Sequence, residues 1–261
     1  MSKEKELDRA KSEFVSLASH QLRTPLTGIE WIAEAFAKKE KLTAQGKEYL
    51  NDIRFSAKRL NALIKLLLNA SRIESGAVGV SPETFELVEF IKAHIKECQM
   101  LCEKKNLTHT FDKHPEKILA TTDKTILGYI LQNLMGNAIE YTLAGGKVEV
   151  MLEKKEKSAL LTIQDTGIGV PKDVQTRIFE KFFRASNAVA MKPDGTGLGL
   201  YIVSEAVKLL EGKIWFESPA SPAKRGEQEG KGSVFYVELP LVVQPHTGEK
   251  VLTSKFANKG E

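Results

Sequence analysis

Four short stretches of this sequence combine residue types that can hold a phosphorylated ligand. Asn133 and Asn137 stand four apart in a strongly helical apolar pattern, so their side chains share one helix face. Two amides on one face can hold phosphate oxygens, water and a divalent cation that takes oxygen ligands. Asparagine is otherwise a poor choice in mid-helix, because its amide competes for backbone hydrogen bonds. Asp165 ends a β-like run and is followed by Gly167 and Gly169. Its carboxylate can accept from an exocyclic amine such as that of adenine, and the glycines let the backbone approach a ligand closely. Gly195, Thr196, Gly197, Leu198 and Gly199 stand immediately before an apolar-periodic helix. Alternating glycines there expose backbone amides to an anion, which the helix dipole also favours. The stretch has neither the lysine of a P-loop nor the preceding strand of a dinucleotide fingerprint, so both of those motifs are excluded. The run 178–184 carries Lys181 and Arg184, whose guanidinium is a candidate for a terminal phosphate. Taken singly, each stretch also has an ordinary reading: helix surface for the asparagines, a tight turn for 165–169, core or docking residues for the aromatics of 178–184.

A fifth candidate lies far upstream. At about 100° per residue, the apolar residues of the first helical pattern cluster around Leu22 and Ile29. His20 falls roughly opposite, with Ser16, Thr24 and Thr27 as neighbours. A solvent-facing imidazole is nucleophilic when neutral near pH 7, and an ordinary surface histidine would have the same geometry. Pro25, five residues on, removes a backbone donor and frees the Gln21 carbonyl, a kink that costs about 3 kcal/mol. Such a kink beside an exposed imidazole points to local mobility being used.

The elements that must position these groups fall into two halves. Residues 3–75 read as two helices of about 30 residues each, broken at 38–43 and stopped at Gly76. A helical hairpin of that length buries only one side of each stripe alone, and completes a four-helix bundle by dimerising. Beyond the linker 77–84 the period changes. Strand-like runs at 107–111, 147–152, 160–164, 213–217 and 234–239 alternate with helical patterns at 87–103, 124–141 and 198–210. Strands come in adjacent pairs as well as beside helices, so this half is α+β and not a doubly wound sheet. The fold class is therefore multi-domain, α and α+β: a helical hairpin (1–76) forming a dimeric four-helix bundle, then an α/β sandwich (85–241) and a polar tail (242–261).

Composition narrows the field. Thirty-eight basic and 34 acidic residues, interspersed, leave a net charge of only +4, without the basic stripe that nucleic acid requires. The longest apolar run, 63–68, is short and holds Lys65, so nothing in the sequence spans a membrane. The charged start, 1–9, is no signal peptide. Cys98 and Cys102 lack a Cys-X-X-Cys spacing and read as reduced thiols of a cytosolic protein.

Residues 14–27, FVSLASHQLRTPLT, closely resemble the phosphoacceptor box of bacterial histidine kinases. The order and spacing of the asparagine helix, Asp-X-Gly-X-Gly turn, aromatic box and Gly-X-Gly-X-Gly run strongly resemble the ATP-binding domain of the same family. That domain belongs to a wider superfamily with gyrase, the chaperone Hsp90 and the mismatch-repair ATPases, and the resemblance covers residues 5–241. It implies that His20 is phosphorylated from Mg-ATP and passes the group to an aspartate in the receiver domain of a response regulator. It further implies that Asn137 coordinates Mg²⁺, Asn133 assists around the phosphates, Asp165 reads adenine and Tyr141 packs on its ring. Residues 170–194 would be a mobile lid, and Thr24 would either orient water for dephosphorylating the partner or be plain helix surface. The chain would be cytoplasmic, alone or as the cytoplasmic part of a longer sensor. An alternative is a phosphatase-biased or kinase-weak signalling scaffold that still binds ATP. A gyrase-like conformational machine would leave the phosphoacceptor helix unexplained.

Two departures from that family bear on rate and affinity. Glu140 stands where the family commonly has lysine, and a carboxylate there would repel phosphates and weaken ATP binding unless it turns away, helps the metal, or is offset by Lys181, Arg184 or Lys192. Gln21 stands where an acidic residue usually follows the histidine. Its amide can orient the imidazole but cannot take up a proton. Replacing it, Gln21→Glu, is expected to speed autophosphorylation measured with γ-labelled ATP; an unchanged or lower rate would refute the role given to this position.

Overall fold

The computed structural model describes residues 79–193, 195–220 and 232–245, and a scatter of positions between 25 and 57. His20, Gln21 and Thr24 lie outside the described residues. The chain divides into two compact units, Met1–Val78 and Gly79–Glu261. In the first, the described residues from 25 to 36 and from 45 to 57 are helical. Thr43 ends the break between them: its hydroxyl accepts from the amide of Gly46 at 3.1 Å, an N-cap for the second helix. Ala33 and Ala57 are buried, whereas Trp31 and Ile32 are 75% and 66% exposed on this single chain.

The second unit runs β1 (Glu83–Glu86), α1 (Leu87–Lys104), β2 (Thr108–Lys113), β3 (Leu119–Thr122), α2 (Lys124–Tyr141), β4 (Lys147–Lys154) and β5 (Ser158–Asp165). A 3₁₀ turn (Lys172–Arg177), α3 (Ser186–Met191), α4 (Gly199–Leu209), β6 (Lys213–Glu217) and β7 (Ser233–Pro240) complete it. Five strands form a mixed sheet in the order β2-β4-β5-β7-β6. Only β2 and β4 run parallel; the other neighbours are antiparallel, with β4 and β5 joined by a short turn. Alternate residues of the central strands, Val148, Val150 and Leu152 on β4 and Leu161 and Ile163 on β5, are buried, the period-2 pattern of a sheet with one covered face. The cover is helical. α2 packs on β5 and lies between α1 and α4, contributing Leu127, Ile130, Leu131 and Leu134, all fully buried. Its flanks on both sides explain why α2 is apolar nearly all round.

β1 and β3, four residues each, pair antiparallel with Phe85 opposite Ala120. Their residues fall in the stretches that the sequence pattern leaves as linker and loop, because pairing partners 37 positions apart leave no local signature. Glu86 joins the two: its carboxylate caps α1 by accepting from Val88 and Glu89, and also accepts from Ile118 at 2.8 Å. Burial raises its pKa, but these backbone donors outweigh that and the net shift is downward. Thr121 further bridges Val242, and Val243 is buried, so the chain just past β7 belongs to this core.

Beside β3 lies a small apolar cavity walled by Leu87, Ile91, Leu127, Leu161 and Leu239. The Thr122 hydroxyl beside it is buried with no hydrogen-bond partner among the described residues. An unmade buried hydrogen bond costs about 1–3 kcal/mol. Thr122→Val should therefore raise the thermal midpoint by about 3 °C, measured by circular dichroism; a fall would show that the hydroxyl has a partner.

Candidate functional site

α2 is the platform. Asp123 caps its start, one carboxylate oxygen accepting from Thr125 and Ile126 at 2.9 and 3.0 Å and the other from Ser81 at 2.9 Å. The residues left half-buried on the helix include Asn133, Asn137, Glu140 and Tyr141. Spaced by four, three and one, they fall on adjoining turns of one side. Asn133 donates through Nδ2 to the Tyr129 carbonyl at 2.8 Å. Its Oδ1 would lie 3.1 Å from a Cβ at Gly199, so the first turn of α4 abuts this amide. Asn137 makes no hydrogen bond among the described residues, and its amide is available. At the far end Lys105 donates to the carbonyls of Ile139 and Glu140, at 2.9 and 2.5 Å, meeting the negative pole of the helix. Burial lowers the Lys105 pKa; the Glu140 carboxylate opposes this and the Lys192 ammonium adds to it.

Asp165 closes the site from the sheet. It sits at the end of β5, 6% exposed. One oxygen accepts from the amides of Gly167 at 2.8 Å and Ser233 at 3.3 Å, leaving the other for a ligand donor. Burial pushes its pKa up to about 6 against the pull of those two amides. Gly167 is required here: a Cβ would meet the Tyr141 carbonyl oxygen at 2.3 Å. The turn is thereby pressed onto the C-terminal end of α2, where Ile168 donates to the same carbonyl at 3.1 Å. Asn187 donates to the Gly169 carbonyl at 3.0 Å, and Ser218 accepts from Val170 at 2.8 Å.

Residues 170–198 form a long segment over the site, held by few groups. Arg184 organises it. Its guanidinium donates to the carbonyls of Ala188 at 3.0 Å, Pro193 at 2.9 Å and Gly195 at 3.2 Å, and also to that of Lys192. Arg184 thus gathers the loop that leads into the glycine run, and in this conformation its donors face carbonyls. Gly197 (φ +69°) packs on the backbone of Phe182, where a Cβ would come within 2.5 Å. Lys181 lies over the Tyr201 ring, 5.0 Å from its centroid. Leu198 precedes α4 without a side-chain cap, and the Thr196 hydroxyl accepts from the Leu198 amide at 3.2 Å. Lys192 forms an ion pair with Glu140, so the carboxylate that the family resemblance would set near phosphates is not bare.

The sequence-derived candidates therefore meet in part: Asn133 with Gly199, Tyr141 with Gly167, Arg184 with Gly195, Phe182 next to Lys181 with Gly197. Lys105, Ser218, Ser233 and Asn187 were not among them. None has a motif of its own, and each reaches the site from a separate part of the fold.

The comparisons with known proteins follow this geometry. The family of histidine kinase-, DNA gyrase B- and HSP90-like ATPases matches residues 122–243, and the His kinase A (phospho-acceptor) domain matches residues 10–76. The chain carries a sensor histidine kinase catalytic core. The chain is 34% identical over 245 residues to the sensory/regulatory protein RpfC of Xanthomonas campestris pv. campestris, covering 90% of this chain and 32% of RpfC. It is 32% identical over 249 residues to the signal transduction histidine-protein kinase BarA of Escherichia coli K12, covering 92% of this chain and 26% of BarA. The chain thus spans about a third or less of these curated relatives. Among solved structures it resembles full-length ShkA in complex with AMPPNP, with TM-score 0.73 and 26% identity, covering 90% of this chain and 47% of that one. It also resembles the histidine kinase ThkA in complex with the response regulator protein TrrA, with TM-score 0.56 and 26% identity over 91% of this chain and 62% of that one. The architecture in both cases is a helical phosphoacceptor region followed by an α/β-sheet ATPase domain. Among the described residues, no helix is long and apolar enough to cross a membrane.

The Asp165 carboxyl sets a pH dependence. Its folded pKa of about 6 lies above the ordinary 3.8, so between those values the folded chain holds a proton that the unfolded chain has lost. Stability from this residue is full below about pH 4 and declines to a plateau above about pH 6. Asp165→Asn keeps the acceptor oxygen for Gly167 and Ser233 without the buried charge. Its melting temperature should exceed that of wild type at pH 8, with the gap narrowing toward pH 4; a gap independent of pH would refute the assignment.

Proposed function

We propose that this chain binds ATP in the second unit, autophosphorylates His20, and transfers the phosphoryl group to an aspartate of a response regulator. The observation that carries the reading is Asp165, a buried carboxylate with one oxygen committed to backbone amides and the other unengaged by the described residues. An exocyclic amine of adenine is the donor such an acceptor selects. Support for His20 comes from its place inside the matched phospho-acceptor domain. Support for ATP and for a response regulator comes from the AMPPNP complex of ShkA and the TrrA complex of ThkA.

In this reading the Tyr141 ring packs on the adenine. The phosphates extend along Asn133 and Asn137 toward the amides of 195–199 at the start of α4, where backbone donors and helix dipole favour an anion. Gly167 and Gly169 admit the base, and Thr196, Gly197 and Leu198 shape the phosphate loop. The described residues contain no cluster of three acidic, histidine or cysteine ligands. Mg²⁺ in a nucleotide site takes one or two protein oxygens and fills the rest from phosphates and water. Asn137, with its amide unengaged, would hold it; bound there, the ion neutralises phosphate charge. The neutral His20 imidazole attacks the γ-phosphorus in line, forming the N–P bond as the bond to the β-bridging oxygen breaks and ADP departs. Gln21 accepts a hydrogen bond that sets the ring tautomer, and the ring proton leaves to water. Lys181 and Arg184 meet the terminal phosphate after Arg184 exchanges loop carbonyls for phosphate oxygens, which accept more strongly. The exposed Trp31, Ile32, Phe36 and Tyr49 on the first unit support a homodimer that buries them. The setting is cytoplasmic, as part of a longer sensor.

Gln21 favours one other reading, a scaffold that binds ATP and a response regulator but phosphorylates poorly. Incubation with γ-labelled ATP and Mg²⁺ separates them. Acid-labile, alkali-stable label on wild type, lost in His20→Ala, is the expected result. ATP binding without label would replace the kinase with the scaffold.

A further inference from the structure

The ion pair between Glu140 and Lys192 joins positions 52 apart, one on the rigid asparagine helix and one at the end of α3 in the segment over the site. Both side chains are about two-fifths exposed, at 41% for Lys192 and 35% for Glu140. An ion pair so open to water adds little to stability, because solvent screens it and ordering two long side chains costs entropy. Lys192 is nevertheless engaged at both backbone and side chain. The Lys192 amide donates to Ala188 at 3.0 Å and the Lys192 carbonyl accepts from Arg184, so the backbone is held while Glu140 holds the ammonium. Glu140 follows Asn137 by three residues and Asn133 by seven, which puts all three on one face of α2. The charge count there is uneven. Lys105, which bonds the Glu140 carbonyl, feels both the Glu140 carboxylate and the Lys192 ammonium, so two cations share one carboxylate. Without Lys192 that end of α2 would carry no net positive charge.

We propose that Lys192 stands in for a cation on the asparagine helix, adding to Lys181 and Arg184 at the phosphates, and that Glu140 is its positioning residue, holding a lysine supplied by the lid against the asparagine face of α2. The proposal rests on the nucleotide-site reading above. Its consequence is that the cation is delivered by a movable segment and not by the helix itself, so the affinity added by the phosphates depends on the lid being in place.

The test compares binding of adenosine and of a Mg²⁺-loaded, non-hydrolysable ATP analogue to the full chain by titration calorimetry. Lys192→Met should weaken the analogue about tenfold, the loss of one charged contact, and leave adenosine within about twofold. Glu140→Gln, which frees the lysine without removing it, should cost the analogue less than Lys192→Met does. The double variant Glu140→Lys/Lys192→Met moves the cation onto the helix and should restore analogue affinity to the wild-type level or above. Equal weakening of adenosine and analogue in Lys192→Met would overturn the proposal in favour of a plain lid tether. So would a double variant that binds adenosine normally yet does not regain the analogue. If wild type bound neither ligand, the nucleotide reading itself would fall.

Discussion

Burial of one carboxylate at the end of the central strand governs the shape of the site. Asp165 must leave water for β5 to pair with both β4 and β7 over its full length, and the buried charge then demands donors. They come from Gly167, two residues on, and from Ser233, where β7 begins. Satisfying that one oxygen folds the glycine turn back on the strand and ties it to the start of β7. It also sets the turn so close to α2 that only glycine fits under the Tyr141 carbonyl. The network that prevents an unpaired charge therefore also fixes where the other oxygen points. Raised to about 6, the carboxyl remains ionised near neutrality, which keeps it an acceptor.

The segment above the site is held by a different physical principle. Few of its side chains are buried: among the described residues, Ile178, Ala185 and Leu198 are the core residues between 170 and 198. What stabilises it is a guanidinium that collects four carbonyls, with its Nε buried and unpartnered among the described residues. Segments with little apolar burial open at low free-energy cost. A guanidinium engaged by neutral carbonyls can exchange them for stronger anionic acceptors. In the proposed reading the same residue both shapes the segment and meets the terminal phosphate.

Much of this was legible in the sequence where chemistry is local. Asn133 and Asn137, the 165–169 turn and the glycine run each lie within a few residues, so residue type and spacing alone single them out. The long helices 87–104 and 124–141 were legible from their period and are matched within a residue or two. Four-residue strands were not: β1 and β3 are stabilised by each other and by the Glu86 cap, none of which leaves a pattern in four residues. Also unreadable were interactions whose partners are far apart in the chain. Lys105 caps a helix that ends 36 residues later, and a lone lysine in a charged segment carries no sign of that. Arg184 was legible as a cation near the glycine run, but not as the group that gathers the loop, since backbone carbonyls have no sequence signature.

The two departures from the family pattern differ in kind. At 140 the change reverses a charge, and a charge can be answered from anywhere in space within a few ångströms; Lys192 answers it from the other side of the site. At 21 the change removes a proton acceptor beside His20, and that loss has no such remedy from a distant cation, because proton transfer needs a basic atom within hydrogen-bond reach. An electrostatic role is set by a sum over neighbours and can migrate between residues, whereas a proton-transfer role belongs to one atom in one place. Relocating the cation to the lid has a further effect. When part of the phosphate contact rides on a segment that opens, the apparent affinity is reduced by the fraction of time the segment is closed. Nucleotide binding and lid closure then favour each other reciprocally, so anything that shifts the lid also shifts the hold on ATP.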